Sequence, residues 1–429
     1  MTIFVILLVT LSFILSFHGI LSLWQILKGW EDPQMISKNK MPKEKANSET
    51  SFSVIIPARH EVGVIGRTLE SFLMQSYPKS KYQVLVPMSE DDTATIAEVK
   101  EISEKFPERI KHIIFNGLPI NKPRGLNEAI KHATGDYIVI FDAEDEIHKD
   151  LLEMVNTVIA QEGRKIIQTG VRLTNWNTNW YNLHAVLEYY FWFRSRLHWY
   201  ANNHFTTLAG VGVFLPKEII KEIGGWDESC LTEDAKIGID CSVRGYEFRI
   251  LSDEKHATRE EVPNQTSSFI RQRTRWIQGF MQVVGGRNWR KLEFKNQIYF
   301  LSLFLFPIIQ VFLHLWVVAS FIFHPKLPVG IVMISLVPSG ILAFQIAVQV
   351  VGMLEMLHER NETKKAPLAL ALYAISYLPY QILISYSAAR ALVRMFTNNL
   401  SWEKTPHLNL NRPKTINPKL GEFAYERIN

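Results

Sequence analysis

Two adjacent carboxylates lie near the middle of the chain, in the segment Leu231-Thr232-Glu233-Asp234-Ala235-Lys236. They follow the turn-rich Gly224–Asp227 and precede a helix-like run, Ala235–Val243. An acidic pair at a helix start is stabilised by the helix dipole, which favours its ionised form. The pair therefore either caps the helix or supplies ionised carboxylates to a site.

A second acidic cluster, Asp142-Ala143-Glu144-Asp145, directly follows the hydrophobic run Tyr137–Phe141. Mg²⁺ and Mn²⁺ take oxygen ligands, and Mg²⁺ usually binds one or two carboxylates together with substrate phosphates. A solvated acidic loop is the alternative. At the end of a buried strand, the cluster predicts a metal ion that bridges to a nucleotide diphosphate.

Basic residues near a helix start complement this cluster. Lys122 and Arg124, followed by Gly125, stand just before a predicted helix, Asn127–Ala133. Cations beside a helix N-terminus are suited to phosphate oxygens. A basic surface turn is the alternative.

A third charged motif, Gln272-Arg273-Thr274-Arg275-Trp276, lies in a predicted helix, Ser267–Val284. Gln272, Arg275 and Trp276 share one face of that helix with Gly279. An amide, a guanidinium and an indole on one face could hold the end of a sugar chain and a diphosphate leaving group. An interfacial Arg-Trp anchor would need only the last two residues of the motif.

Short β-branched runs alternate with amphipathic ones from residue 52 onward. The predicted strands cover residues 53–57, 83–86, 112–115 and 137–141, with helices at 64–75, 93–105 and 127–133 between them. This alternation predicts an α/β domain with a mostly parallel sheet, whose ligands bind at the carboxyl ends of the strands. Three of the polar segments fall at such ends: Pro57–Glu61, Ser89–Asp92 and Asp142–Asp145.

Eight aromatic residues fall between Tyr181 and Tyr200. A helix there would be either an amphipathic helix at a bilayer surface or a packed core helix. Because aromatic faces also stack on sugar rings, the stretch is suited to border an acceptor path. Downstream, Gly210-Val211-Gly212 either permits close backbone approach to a ligand or forms a turn beside a strand.

Hydrophobic residues make up 47% of the 429-residue chain and concentrate in four runs. Each reaches the roughly 20 residues that a membrane helix needs; the runs are Thr2–Leu27, Gln297–Phe323, Leu327–Val351 and Ala366–Val393. The first lacks a basic leader and a cleavage site, which predicts an uncleaved anchor. Lysines from Lys28 to Lys45 follow it and place the next domain in the cytoplasm. The sequence therefore predicts a multi-pass protein of the inner (plasma) membrane.

The charge and cysteine content agree with this location. Much of the net charge of +5 comes from basic residues that flank the apolar runs, which indicates membrane anchoring rather than nucleic-acid binding. Cys230 and Cys241 fall in the cytoplasmic part, where no disulfide is expected.

The number of membrane crossings conflicts with the charge of the tail. One span before the domain and three after it would put the tail outside, yet its basic residues favour the inside; these are Lys404, Arg412, Lys414 and Lys419. One run is therefore expected to be re-entrant or interfacial, and Pro307 and Pro379 mark two candidates. We expect a cytoplasmic tail.

In their order, the motifs resemble the family 2 glycosyltransferases of processive type, which include cellulose, hyaluronan and poly-N-acetylglucosamine synthases. The matching segments, within residues 50–290, are Pro57–Glu61, Asp142–Asp145, Thr232–Asp234 and Gln272-x-x-Arg275-Trp276. Asp142–Asp145 and the tail segment Trp402–His407 resemble a bacterial branch of exopolysaccharide glycosyltransferases related to phage adsorption protein B.

The resemblance implies a GT-A type nucleotide-diphospho-sugar transferase domain inserted between transmembrane helices. The expected order is an N-terminal transmembrane helix (1–28), a linker (29–51), a cytoplasmic glycosyltransferase domain (52–266), interfacial helices (267–296), a C-terminal transmembrane region (297–396) and a tail (397–429).

The resemblance also implies residue roles in an inverting transfer from a UDP-sugar. It makes Asp234 the catalytic base, oriented by Glu233, and assigns Mg²⁺ or Mn²⁺ to Asp142 with Glu144 or Asp145. The residue that contacts the nucleotide base falls at Ser89, Glu90 or Asp91, with Glu90 preferred. Further substrate contacts are assigned to Pro57, Arg59, Glu61, Lys122, Gln272, Arg275 and Trp276.

The implied function is transfer of a hexose or N-acetylhexosamine to a growing polysaccharide, processive and coupled to export, with an export protein as a further partner. A single transfer to a polyprenyl-phosphate or glycolipid acceptor is one alternative. A catalytically weak membrane scaffold or phage-receptor component is the other.

Overall fold

A computed structural model describes residues 2–31, 42, 44–253, 255–323, 327–401 and 403, with the side chains of residues 2, 29, 310, 312–321 and 323 left out of the description. Residues 32–41 and 43 of the predicted linker therefore lie outside the described residues. Of the tail segment Trp402–His407, only Glu403 is among them.

The central sheet has seven strands in the order β3-β2-β1-β4-β7-β5-β8, and β6 and β9 form a small second sheet. The strands are β1 (Phe52–Ile55), β2 (Tyr82–Ser89), β3 (Ile110–Phe115), β4 (Tyr137–Ile140), β5 (Ile166–Thr169), β6 (Val171–Leu173), β7 (Val213–Pro216), β8 (Phe248–Leu251) and β9 (Thr258–Glu260). Only β7 runs antiparallel to its neighbours in the large sheet. The predicted mostly parallel α/β sheet is confirmed.

The strands are hydrophobic on both faces because both faces are covered. Val54 packs into one core cluster and the next residue, Ile55, packs into another on the opposite face. Alternate residues of a strand point to opposite faces, so a doubly covered sheet needs a continuous apolar run. This is the pattern that the sequence presents in β1, β2 and β4.

The helices connect and cover these strands. Their bounds are α1 (Thr2–Glu31), α2 (Ile65–Leu73), α3 (Thr93–Lys105), α4 (Lys122–Ile130), α5 (Leu151–Glu162), α6 (Asn182–Phe191), α7 (Leu197–Asn202), α8 (Lys217–Ile223), α9 (Glu233–Val243), α10 (Thr266–Gly285), α11 (Phe294–Phe323), α12 (Val329–Glu359) and α13 (Ala366–Phe396). A single π-helical segment, Trp192–Arg196, joins α6 to α7.

The cationic turn predicted at Lys122–Asn127 is instead the first part of α4. The side chain of Asn121 caps this helix by accepting a hydrogen bond from the Arg124 N–H at 3.0 Å, and Pro123 occupies the first turn. Both features favour a helix start. The helix therefore begins at Lys122, five residues before the predicted start at Asn127.

Within the described residues, three helices are long and apolar enough to cross a membrane: α1, α12 and α13, the last together with the short turn that precedes it. The remaining predicted run forms α11, which is continuous over 30 residues. Pro307 and Pro379 lie inside α11 and α13 without breaking them. The prolines thus do not mark a re-entrant segment.

The aromatic stretch is mostly buried. Tyr190 and Phe191 of α6 belong to a cluster that also contains Met353 of α12 and Tyr380 of α13. The stretch is therefore a packed core helix rather than an amphipathic helix at a bilayer surface. It packs against the apolar helices α12 and α13.

Candidate active site

The acid pair forms the first turn of α9, with Thr232 at the N-cap position. Glu233 is buried, and Asp234 accepts a 2.8 Å hydrogen bond from the Ala235 N–H through Oδ1. Thr232 makes no capping bond through its side chain. The helix start therefore holds the two carboxyl groups in fixed positions facing the cavity described below.

Burial changes the protonation of this pair. It raises the pKa of Asp234, and it raises the pKa of Glu233 to about 7, with the neighbouring Asp234 adding to the effect. Lys122 and Arg275 lower both pKa values but do not outweigh burial. Burial thus opposes the expected effect of the helix N-terminus, which helps to keep Asp234 ionised, because desolvation penalises the charged form.

Lys122 links the acid pair to the predicted metal cluster. Its Nζ donates to Oδ1 of Asp142 and, at 2.9 Å, to the carbonyl oxygen of Gly210. A Cβ on Gly210 would lie 3.2 Å from both Lys122 Nζ and Asp234 Oδ2. Because Gly210 has no side chain, Lys122 can lie close to both Asp142 and Asp234.

Of the three acidic residues directly after β4, two line the cavity and one is buried. Asp142 and Glu144 line the cavity, whereas Asp145 is 1% exposed and accepts a 2.7 Å hydrogen bond from the Asp142 N–H through Oδ2. The other oxygen of Asp145, Oδ1, has no hydrogen-bond partner within the described part of the chain. An orphaned, buried carboxylate oxygen is what a hard cation would satisfy.

Sequence reasoning missed a fourth carboxyl group, that of Glu260 at the end of β9. Burial, with Asp142 and Glu144 nearby, raises the pKa of Glu260 to about 8, and Glu260 in turn contributes to the raised pKa of Asp145. The four carboxyl groups are close enough to influence one another's pKa and supply only oxygen donors. This chemistry fits Mg²⁺ or Mn²⁺, as predicted for the site.

The third motif lies on α10, which packs against the acid pair. Arg275 donates to the Leu231 carbonyl oxygen at 3.1 Å. A Cβ on Gly279 would lie only 2.4 Å from Oγ1 of Thr232, so this glycine allows the helix to approach. Gln272, Arg275 and Trp276 all line the cavity.

Charged and aromatic neighbours fix Trp276. The Arg273 guanidinium lies 4.6 Å from the centre of the indole, and Arg273 forms a 2.8 Å ion pair with Glu188 of α6. Tyr189 lies 6.5 Å from Trp276 between ring centres. An indole held in this way presents an aromatic face to the cavity, and such a face is suited to a sugar ring.

The ends of β1 and β2 form the far side of the cavity. Pro57, Arg59 and Glu61 line it, and Arg59 pairs with Asp91 at 3.1 Å. The preferred Glu90 is exposed and is not among the residues that line the cavity, whereas Ser89 does line it. The geometry therefore favours Ser89 over Glu90 as the residue at this strand end that faces a ligand.

These groups surround one cavity of about 1560 Å³. It extends from the strand ends at Arg59 and Asp142 past Asp234 and Trp276. It continues to the apolar helices, where Leu15, Pro338 and Leu378 line it. The polar site and the apolar helices therefore share a continuous space.

Comparison with known proteins relates this architecture to sugar transfer. Residues 49–279 match the model described as glycosyltransferase like family 2. A probable glycosyltransferase of Bacillus subtilis, YdaM, is 26% identical over 90% of this chain and 94% of its own length. The poly-β-1,6-N-acetyl-D-glucosamine synthase of Staphylococcus epidermidis is 24% identical over 66% of each chain. The β-monoglucosyldiacylglycerol synthase of a Synechocystis species is 24% identical over 53% of this chain and 47% of its own.

Among solved structures, a mannosyltransferase of Pyrobaculum calidifontis in complex with GDP-mannose and Mn²⁺ has the same fold. Its TM-score is 0.56 at 18% identity, and the match covers 90% of this chain and 99% of the other. The predicted GT-A fold is thereby confirmed. Because the family model also spans more than half of the sequence, the chain belongs to glycosyltransferase family 2 and is a glycosyltransferase.

Proposed function

We propose that the protein is a membrane-embedded inverting glycosyltransferase that moves a hexose or N-acetylhexosamine from a UDP-sugar to a growing polysaccharide. The observation that carries this proposal is the continuous cavity between the acid pair and the apolar helices. A polymer whose end rests at Asp234 has a route out of the site along this space. Processive addition coupled to export across the plasma membrane follows from that route.

The transfer itself needs a base for the acceptor hydroxyl. Asp234 accepts the hydroxyl proton while the hydroxyl oxygen attacks the anomeric carbon from the face opposite the diphosphate. The bond between the anomeric carbon and the diphosphate oxygen breaks, and UDP leaves with the electron pair. Attack from the opposite face inverts the anomeric configuration. Glu233, beside Asp234, modulates its charge and orientation.

The leaving diphosphate carries negative charge that the site must balance. Lys122 and Arg275 supply cationic groups close enough to Asp234 to lower its pKa. Asp142 with Glu144 or Asp145 would hold Mg²⁺ or Mn²⁺, and Glu260 adds a further oxygen donor. When bound, the ion supplies positive charge that stabilises the leaving group. The nucleotide then lies against the ends of β1 and β2, beside Pro57, Arg59 and Glu61.

The acceptor end is placed by the face of α10. Trp276 stacks on the terminal sugar, and Gln272 provides an amide that can donate to or accept from its hydroxyls. The aromatic residues of the stretch between Tyr181 and Tyr200 continue this surface toward the apolar helices.

A glycolipid acceptor is the second candidate. The apolar lining contributed by Leu15, Pro338 and Leu378 would also suit an acyl or prenyl chain. One relative, the β-monoglucosyldiacylglycerol synthase, is named for a glycolipid product. A lipid acceptor would receive a single sugar rather than a chain.

Product analysis separates the two candidates. Purified protein in detergent is incubated with Mn²⁺ and radiolabelled UDP-glucose or UDP-N-acetylglucosamine, and the product is partitioned between organic solvent and water and then sized. We expect a water-soluble polymer that glycosidases digest. Label that is confined to the organic phase as a monoglycosylated lipid would contradict the polysaccharide proposal.

Replacement of the base tests the chemical role. Asp234→Asn keeps the size of the side chain but removes its ability to accept the proton, so we expect transfer to fall by on the order of 10²–10⁴-fold. UDP binding, measured by calorimetry, should remain close to that of the wild type. Asp240→Asn, in the same helix and away from the cavity lining, is the matched control. Equal turnover in the Asp234 and Asp240 variants would remove Asp234 from this role.

A further inference from the structure

A second cluster of ligating side chains lies beside the carboxyl site. One ring nitrogen of His148, one of His256 and one carboxylate oxygen of Asp150 lie within 4.8 Å of one another. Both histidines are buried, at 8% and 5% exposure, and their rings meet edge to face with centres 4.4 Å apart. None of these three residues lines the active-site cavity within the described part of the chain. The proposed transfer chemistry gives this cluster no role.

The hydrogen bonds of His256 orient it as a metal ligand. Its Nδ1 lies 2.5 Å from a carboxylate oxygen of Asp253, which leaves Nε2 as the ring nitrogen to bind a metal. Metal-binding histidines commonly present one nitrogen to the ion while a carboxylate holds the other. Nδ1 of His148 accepts a 3.2 Å hydrogen bond from the Asp150 N–H, and a metal bound at that nitrogen would replace this contact.

We propose that His148, His256 and Asp150 form a binding site for a divalent transition-metal ion of the zinc type. Imidazole and carboxylate ligands suit Zn²⁺, which binds them at about 2.0–2.2 Å in a tetrahedral arrangement that leaves a fourth position for water. The donor atoms of such a site lie roughly 3.3 Å apart. The three side chains therefore need to close by at most about 1.5 Å.

The charge around the cluster permits a cation. Asp150 and Asp253 bring two carboxylates, whereas Lys255 and Arg259 lie close enough to His148 to act against positive charge. Arg259 is paired with Glu146, and its backbone also bonds to that of Glu146 at 3.0 Å. The two carboxylates match the charge of a divalent ion.

The position of the site gives it a structural role. His148 follows Asp145 by three residues, and His256 precedes Glu260 by four. The ion would therefore connect the segment after β4 to the segment before β9, which are the two that bring Asp145 and Glu260 together. Without the ion, Asp145 and Glu260 should be held together less rigidly, although both carboxyl groups remain present.

Metal titration tests the proposal directly. Chelator-treated protein in detergent, in an Asp142→Ala background that disables the active-site cluster, is titrated with Zn²⁺ by calorimetry and heated with and without Zn²⁺. We expect one bound ion and a higher unfolding temperature. Co²⁺ in place of Zn²⁺ should give the visible absorption of a tetrahedral ion.

Further variants identify the ligands in the same background. His256→Gln should abolish the Zn²⁺-dependent rise in unfolding temperature, and Asp150→Asn should weaken binding by at least about tenfold. His112→Gln is the control, because His112 pairs with Ser103 on the far edge of the sheet and should behave as the parent. The proposal is overturned if the parent binds no Zn²⁺, or if His256→Gln binds it as tightly as the parent does.

Discussion

At the level of single residues, burial decides the protonation of the acid pair. The pKa of Asp234 is raised and that of Glu233 is raised to about 7, so both carboxyls hold a proton at a pH where exposed ones are ionised. A general base works only in its ionised form. Because the pKa of the base Asp234 is raised, we expect kcat/KM to begin to fall on the acid side at a higher pH than an exposed aspartate would give. A profile that falls only near pH 4, where exposed aspartates titrate, would contradict this.

A variant of Lys122 tests whether neighbouring charges set the pKa values of the acid pair. Its charge lowers the pKa values of both carboxyls, so Lys122→Met should move the midpoint of the profile to higher pH as well as reduce the rate. The measurement is kcat/KM against pH for both proteins. A lower midpoint in the variant would show that Lys122 does not act through these carboxyls.

Asp142 should control the metal dependence of nucleotide binding. Asp142→Ala removes a cavity-lining oxygen donor and frees the ammonium group of Lys122, which can then attract phosphate directly. We expect the enhancement of UDP binding by Mn²⁺ to fall by at least about tenfold, while metal-free binding is kept or improved. Calorimetry with and without Mn²⁺ measures both. Glu104→Gln, on the exposed face of α3, is the control, and an unchanged Mn²⁺ effect in the Asp142 variant would exclude the role.

At the level of elements, the close approach of α10 to α9 builds the site. A Cβ at Gly279 would lie within 3.0 Å of three atoms of Thr232, so Gly279→Ala must push the helices apart. We expect a loss of about 1–3 kcal/mol in the free energy of unfolding and a large loss of transfer. Gly285→Ala, in the last residue of the same helix and with open space around it, is the control. Thermal unfolding and turnover that match this control would show that the approach of the helices is not needed.

The elements also show what could be read from the sequence. Continuous apolar runs predicted β1, β2 and β4, because strands buried on both faces need no alternation. Glu260 escaped prediction because β9 has only three residues and is placed by pairing with β6, about 85 residues earlier in the chain. An acidic pair, Glu260 and Glu261, was the available signal, but no local pattern places it beside Asp142. The start of α4 was missed because the cap at Asn121 was not recognised.

At the level of the whole molecule, α13 contacts the glycosyltransferase domain and α10 as well as the apolar helices α11 and α12. Near its start, Lys365 lies 5.9 Å from the ring centre of Trp176, and Tyr380 at its middle donates to Glu188 at 2.7 Å. Near its end, Arg394 donates to Gln278 of α10 at 3.0 Å. Both ends of α13 therefore lie against the glycosyltransferase domain and α10.

A helix that contacts one domain along its whole length is not placed to cross a bilayer. The buried face of α13, from Ala369 through Ser387 to Arg394, packs along α6 and α10, while Ile375, Val393 and Phe396 are exposed. α10 carries Arg271, Arg273 and Arg275, which are costly in a hydrocarbon core. We infer that α13 lies in the membrane interface with its exposed apolar face toward lipid, although its length and composition would allow it to span.

This placement agrees with the expectation of a cytoplasmic tail. If α11 leaves the cytoplasm, then α12 returns to it, because Glu362 just after α12 accepts a 2.7 Å hydrogen bond from Trp176 of the domain. With α13 in the interface, the tail starts on the cytoplasmic side, where Glu403 pairs with Arg390. We therefore expect a green fluorescent protein fused after Asn429 to fluoresce and an alkaline phosphatase fused there to be inactive. The same reporters inserted between α11 and α12 should give the opposite pattern, and an active phosphatase at the C-terminus would show instead that α13 crosses the membrane.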